Sequence, residues 1–150
     1  MSLEPPAPTR PYAGLISRLA ALGTDVLLLA VIEFSVRSLP TLAWEQMVVR
    51  PAPGWLSAGS AFLMVLVPWS YFTACWWLSG QTAGGRLFGI AVQLPDGRVP
   101  SFARAAGRAA IGLLLPPLWM VGLLATLWDK RRRAWHDRLF GTVVRYVGRR

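Results

Sequence analysis

The 150 residues carry 54% apolar side chains and 15% charged ones, with 16 Lys and Arg against 7 Asp and Glu. That is one domain's length, too apolar for an ordinary soluble domain, and its positive excess flanks apolar runs, where anionic lipid and topology control explain it more simply than nucleic acid. Cys75 is the single cysteine and His136 the single histidine, which excludes an internal disulfide, a cysteine-based zinc site and the multi-histidine metal and haem patterns.

The opening "MSLEPPAPTRPY" lacks a basic stretch before a short apolar core. Residues 1–12 are expected to form a Pro-rich disordered leader rather than a cleaved signal peptide. The first apolar segment, about Ala13 to Val36, is long enough to cross a hydrocarbon core of roughly 30 Å at about 1.5 Å per residue. A loop with Trp44, Glu45, Pro51 and Pro53 should be irregular. The second segment, Leu56 to Leu78, holds no charge; Pro68 should kink it, and Trp55, Trp76 and Trp77 are placed as interfacial anchors. Farther on, Ile90 to Leu94 has strand character, "PDGR" is a turn in which Pro fixes φ and Gly takes positive φ, and Ser101 is an N-cap for a helix bearing Arg104 and Arg108. The third apolar segment, Ala109 to Trp128, is broken at Pro116-Pro117. In the basic tail, Thr142 to Val147 is a second strand candidate, able to pair with the first.

Counting Lys and Arg near the segment ends gives a topology. If the third segment enters and returns, thirteen lie on one side and only Arg37 and Arg50 on the other. Three full spans would strand at least five on the outer side. The positive-inside rule favours two spans with a re-entrant third segment and a cytoplasmic N-terminus. Re-entrant backbone needs shielding by protein or water.

The first segment carries three ionisable groups: Arg18, Asp25 and Glu33. Arg18 and Asp25 are two turns apart on one face, about 10 Å along the axis, too far for a snug pair. Glu33 lies about 80° around from Asp25, near the far end. A central Asp costs about 2.5–3.5 kcal/mol on insertion scales, so each charge is expected to face a partner. For Asp25 the candidates are Arg104, Arg108 and the hydroxyl of Thr24; for Arg18 they are Asp129 and Asp137. Such pairs serve either as structural clips or as a proton or cation pathway through Asp25.

Three separated motifs in order carry a family resemblance. "RLAALGTD", "QTAGGRLFGIAVQLPDGRVPSFARAAGR" and "KRRRAWHDRLFGTVV" together resemble the RDD family of small membrane proteins over about residues 12–147. The resemblance maps the name-giving residues to Arg18, Asp25 and Asp137, and a T-x-G-K-x-x-x-G segment to Thr82, Gly84, Arg86 and Gly89. Gly85 stands where the family usually has Lys, which weakens an anion-binding role for this loop, although Arg86 can substitute. The family implies a membrane location and a compact helical fold; its general molecular function is not established, with transport a recurrent suggestion.

Other motifs give less. "GQTAGGRL" misses the Lys and hydroxyl residue of a phosphate-binding loop and does not follow a buried strand, so no nucleotide is expected. "DKRRRAWHDR", with Lys130 to Arg133, reads as a stop on anionic headgroups rather than a nucleic-acid patch. His136 beside Asp137 is more simply a hydrogen-bonding group than a proton shuttle. No catalytic triad assembles, and neither metal nor cofactor is expected.

The sequence therefore reads as an all-α integral membrane protein of the bacterial cytoplasmic membrane. It has two transmembrane helices, a Pro-broken third segment that re-enters or spans, and a small cytoplasmic strand pair. The leader covers 1–12, the membrane domain 13–147 and a basic end 148–150. The expected role is non-enzymatic: an accessory or scaffolding component of a larger membrane complex, or alternatively a small homo-oligomeric proton or cation transporter using Asp25.

Overall fold

The computed structural model describes residues 11–48, 51, 53–129 and 131–147. The element order is α1 (Leu15–Val48), α2 (Gly54–Leu78), α3 (Ala83–Leu87), β1 (Ile90–Gln93), α4 (Phe102–Leu114), α5 (Pro116–Leu124) with a 3₁₀ turn at Ala125–Leu127, α6 (Trp135–Leu139) and β2 (Val143–Tyr146). Most of the expected leader and the expected basic end lie outside the described residues. Pro11 and Tyr12 are described, and they run beside β2: Tyr146 N–H donates to the Pro11 carbonyl at 3.0 Å and Ala13 N–H to the Val144 carbonyl at 2.9 Å.

Among the described residues two helices are long and apolar enough to cross a membrane, α1 and α2. In both, apolar residues are spread around the helix rather than confined to one face. The first is longer than its sequence suggested. Instead of ending near Val36 it continues as one helix through Pro40 to Val48, so Trp44 and Glu45 are helical and not part of an irregular loop. Pro40 lies on the exposed face and removes only one backbone donor, while Thr41 Oγ1 donates to the carbonyls of Ser38 and Arg37 at 2.9 and 3.2 Å. The second helix likewise runs on through Pro68.

Burial divides α1 into two parts. Its buried residues are Arg18, Ala21, Asp25 and Leu29, spaced to form one stripe over the first half. Beyond them Val31, Phe34, Leu39, Leu42 and Met47 stand exposed. From Val26 to Val48 the helix is about 34 Å long at 1.5 Å per residue, enough for a hydrocarbon core. Arg18 and Asp25 thus lie at the folded end, at or below the start of the apolar stretch.

That folded end is built from small contacts. Ala13, Ala21, Ala105 and Ala109 form a core cluster with Trp76, Ile90, Val92 and Val144. The closest approach is at Gly84 on α3: a Cβ there would sit 2.0 Å from the Ala21 carbonyl oxygen of α1. β1 and β2 pair antiparallel, Ile90 opposite Tyr146 and Gln93 opposite Val143. The expected turn is present, with Gly97 at φ +89° and Gly97 N–H donating to the Leu94 carbonyl at 2.9 Å.

The third apolar segment bends by 107° between α4 and the following helix. Leu115 makes the corner at φ −130°, ψ 57°, and Pro116 occupies the first position of α5, where its missing N–H costs nothing. Both arms of this bent pair meet α6: Arg108 of α4 pairs with Asp137, and Gly122 of α5 packs at the Cβ of Trp135.

Gly84→Ala is expected to destabilise the protein by more than the ~1–3 kcal/mol usual for overpacking, because the clash is with backbone. Gly59→Ala in α2, where an added Cβ meets nothing within 4 Å, should be neutral or mildly stabilising. Melting of the two variants in detergent checks the contrast.

Candidate functional site

Two buried carboxylates organise the folded end, each held by a different kind of donor. Asp137 is fully buried on α6. Ala134 adopts the extended conformation of an N-cap, and its N–H donates to Asp137 Oδ2 at 2.9 Å, the backward half of a capping box. Gly141, at φ +63°, ends the helix, and Thr142 N–H returns to the Asp137 carbonyl at 2.8 Å. The tail is thereby folded around its own aspartate.

Two guanidiniums then converge on that carboxylate. Arg18 of α1 pairs through Nη1 with Oδ2, and Arg108 of α4 through Nη1 with Oδ1. Neutral acceptors take other N–H groups. Arg18 donates to the Arg132 carbonyl at 2.6 Å and the Ala13 carbonyl at 3.3 Å, and Arg108 to Thr142 Oγ1 at 2.9 Å. The Arg108 guanidinium also lies over the Trp76 ring, 4.8 Å from its centroid. Burial alone would raise the Asp137 carboxyl, but Arg108 and Arg18 outweigh it and hold the group well below the usual carboxylate range.

His136, also fully buried, stacks on Trp119 with ring centroids 4.6 Å apart and planes 14° from parallel. Burial, reinforced by the neighbouring Arg108, pushes its imidazole down to about 3. The ring is therefore neutral at ordinary pH, and neither nitrogen has a hydrogen-bond partner among the described residues.

Asp25 is 2% exposed and meets no cation among the described residues. Its Oδ1 accepts from Gly84 N–H at 2.7 Å and from the Tyr71 hydroxyl at 2.7 Å. Tyr71 in turn accepts from Ala83 N–H at 2.9 Å, and Thr82 caps the same short helix, its Oγ1 accepting from Gly85 N–H at 3.0 Å. The Thr-x-Gly motif thus works as a unit. Thr82 caps α3, Gly84 lets it touch α1, and Asp25 receives the Gly84 N–H at the positive end of the helix.

Several sequence expectations are corrected by these contacts. Neither Arg104 nor Arg108 reaches Asp25: Arg104 is exposed and Arg108 is committed to Asp137. The Thr24 hydroxyl donates to the Ala20 carbonyl at 3.0 Å rather than to Asp25. Arg18 takes Asp137 and not Asp129, which instead binds Arg133 and Arg138 at 3.3 and 3.0 Å. Glu33 stands half-buried on the apolar part of α1, with no ion pair among the described residues. Arg86 is exposed, and Gly85 is packed within 3.1 Å of where a side chain would need room. Gly89 turns at φ +63° into β1. Lys130 lies outside the described residues. Trp76, placed as an interfacial anchor, is instead buried under the Arg108 guanidinium. Sequence reasoning missed Tyr71 and the hydroxyl role of Thr142, whose signals were its place in the Gly-Thr-Val-Val close and at the start of the second strand candidate.

A cavity of about 60 Å³ lies between the two carboxylate clusters, bordered by Arg18, Asp25, Thr82, Arg108 and His136. The sequence profile of the RDD family matches residues 12–141, which include Arg18, Asp25, Tyr71, Gly84, Arg108 and Asp137 and stop one position short of Thr142. The chain belongs to the RDD family. A search of curated proteins and a search of solved structures gave no match. In this RDD protein the aspartates singled out by the resemblance have unlike roles in the fold. Asp137 neutralises two cations, and Asp25 receives backbone and phenol donors.

Two predictions follow from the difference. Asp25→Asn keeps an acceptor oxygen and should cost only about 1 kcal/mol in lost charge assistance, whereas Asp25→Leu leaves two donors unpaired at about 1–3 kcal/mol each. Unfolding in detergent checks the order. For His136 the folded pKa, about 3, lies below the unfolded value of 6.5, so the unfolded chain takes up a proton that the folded one refuses. Stability should fall as pH drops from 7 to 4.5, approaching a slope of about 1.4 kcal/mol per pH unit. His136→Phe should flatten that window, since no other histidine exists. The loss tied to Asp137 begins lower, near pH 4.

Proposed function

We propose that this RDD-family protein is a non-enzymatic accessory or assembly component of a larger complex in the bacterial cytoplasmic membrane. In this reading the N-terminus and the folded end face the cytoplasm, and the bent α4–α5 pair is a re-entrant segment. The observation that carries it is the commitment of both buried carboxylates to internal donors. Asp137 is occupied by Arg18, Arg108 and Ala134 N–H, and Asp25 by Tyr71 and Gly84. Carboxylates used this way fix the docking of elements to each other, which is what a rigid scaffold requires.

Two further features support the reading. Exposed Arg131 and Arg132 follow the third apolar segment and are suited to anionic headgroups. The projecting halves of α1 and α2 present Phe34, Phe62 and Val65 to their surroundings, leaving apolar surface for partner helices.

A transporter reading has one observation in its favour, the cavity that touches both Asp25 and His136. The decisive experiment is an affinity tag after Arg150, gentle detergent extraction of native membranes, and identification of what co-purifies. The accessory reading expects a stoichiometric, unrelated membrane partner that is retained by Asp25→Asn. Copies of this chain alone, with proton or cation flux in liposomes that Asp25→Asn abolishes, would replace it with the transporter. Exposure of the tag on the outer face would overturn the orientation.

A further inference from the structure

Beside the polar cavity lies a second, apolar space of about 270 Å³ between α1, α2, α4 and α5. The two share Leu22, Phe72, Trp76 and Trp119 in their walls, so they adjoin one another. The apolar space opens between the membrane helices: Val26 and Met120 border it and are 53% and 45% exposed. Its volume falls just short of the ~300–1,000 Å³ of ordinary small-molecule sites. That suits a length of flexible chain better than a bulky ring system.

The polar side supplies what such a chain would carry at its end. Arg108 Nε, Trp119 Nε1 and both nitrogens of His136 are buried without partners among the described residues. A neutral imidazole contributes one donor and one acceptor, so the set is rich in donors. Buried donors of this kind cost about 1–3 kcal/mol each when left unpaired. Gly112 faces the same indole: a Cβ there would lie 3.5 Å from Trp119 Nε1, in ordinary contact. Formal charges around the polar cavity balance: Arg18 and Arg108 against Asp137 and Asp25. A neutral acceptor therefore fits better than a further anion.

We propose that the two spaces form one lipid site. A membrane phospholipid lays an acyl chain in the apolar groove and presents its ester carbonyl oxygen to the donors of Trp119, Arg108 and His136. The site needs no substrate turnover, and it stands whether the protein is an accessory subunit or a transporter.

Native mass spectrometry of the full chain tests it, with 1-palmitoyl-2-oleoyl-phosphatidylglycerol added to the delipidated protein in detergent. The expected result is one retained phospholipid per chain at activation energies that strip loosely bound lipid. Val26→Trp and Met120→Trp fill the groove from exposed positions and should reduce retention at least tenfold without lowering the melting temperature. Trp119→Phe keeps the ring stacked on His136 but removes the donor, and should reduce retention several-fold. Absence of a retained lipid overturns the proposal. So does equal retention by wild type and both groove-filling variants, which would mark the lipid as annular, or a lipid-free dimer, which would place a second copy in the groove.

Discussion

The fold depends on a single buried carboxylate placed between two guanidiniums. Asp137 joins α6 to Arg18 of α1 and Arg108 of α4, residues 119 and 29 positions away in the chain. The bent segment and the tail are tied to the first membrane helix through that group. Desolvating three charges is expensive, and replacing such a triad with apolar groups is often neutral or favourable, whereas removing one partner leaves an uncompensated charge. Its value therefore lies in geometry. Only one rotation of α1 and one register of α4 bring both arginines to the same carboxylate, and the neutral acceptors Ala13, Arg132 and Thr142 restrict the choice further.

The second carboxylate ties α1 to α2 and α3. Asp25 is the upper polar residue of the folded end, and the next three positions, Val26 to Leu28, are exposed apolar side chains. Its partners are not cations among the described residues. The Gly84 N–H of α3, held against α1 by the absence of a side chain there, and the Tyr71 hydroxyl donate to it instead. Ionisable groups in an apolar helix are thus compatible with a membrane protein. Arg18 and Asp25 belong to the packed end of α1, while Glu33 lies farther along the helix.

Much of this was legible in the sequence. The two spans, the strand pair with its Gly97 turn, the break at Pro116 and one of the two partners offered for Arg18 all follow from patterns that local physics enforces. Three features did not. The extension of α1 past Pro40 was hidden because an exposed proline costs a helix one bond without ending it when the surrounding turns remain helical. The partner of Asp25 was misassigned because pairing by charge considers side chains, while the donors were a backbone N–H and a phenol brought close by tertiary packing. The competition of Arg18 and Arg108 for one aspartate was invisible because sequence gives no count of how many cations a carboxylate will serve. His136 was read as a simple hydrogen-bonding group; its stacking on Trp119 and its unpartnered nitrogens depend on the 107° bend at Leu115.

The most direct test of the central claim compares single and combined removal of the triad. The unfolding free energy in detergent would be measured for Asp137→Leu, and for the triple variant Arg18→Met, Arg108→Met and Asp137→Leu. The account predicts a loss of about 3–5 kcal/mol for the single change, with most of it recovered in the triple variant. A single Asp137→Leu that costs less than about 1 kcal/mol, the value of an exposed pair, would contradict it.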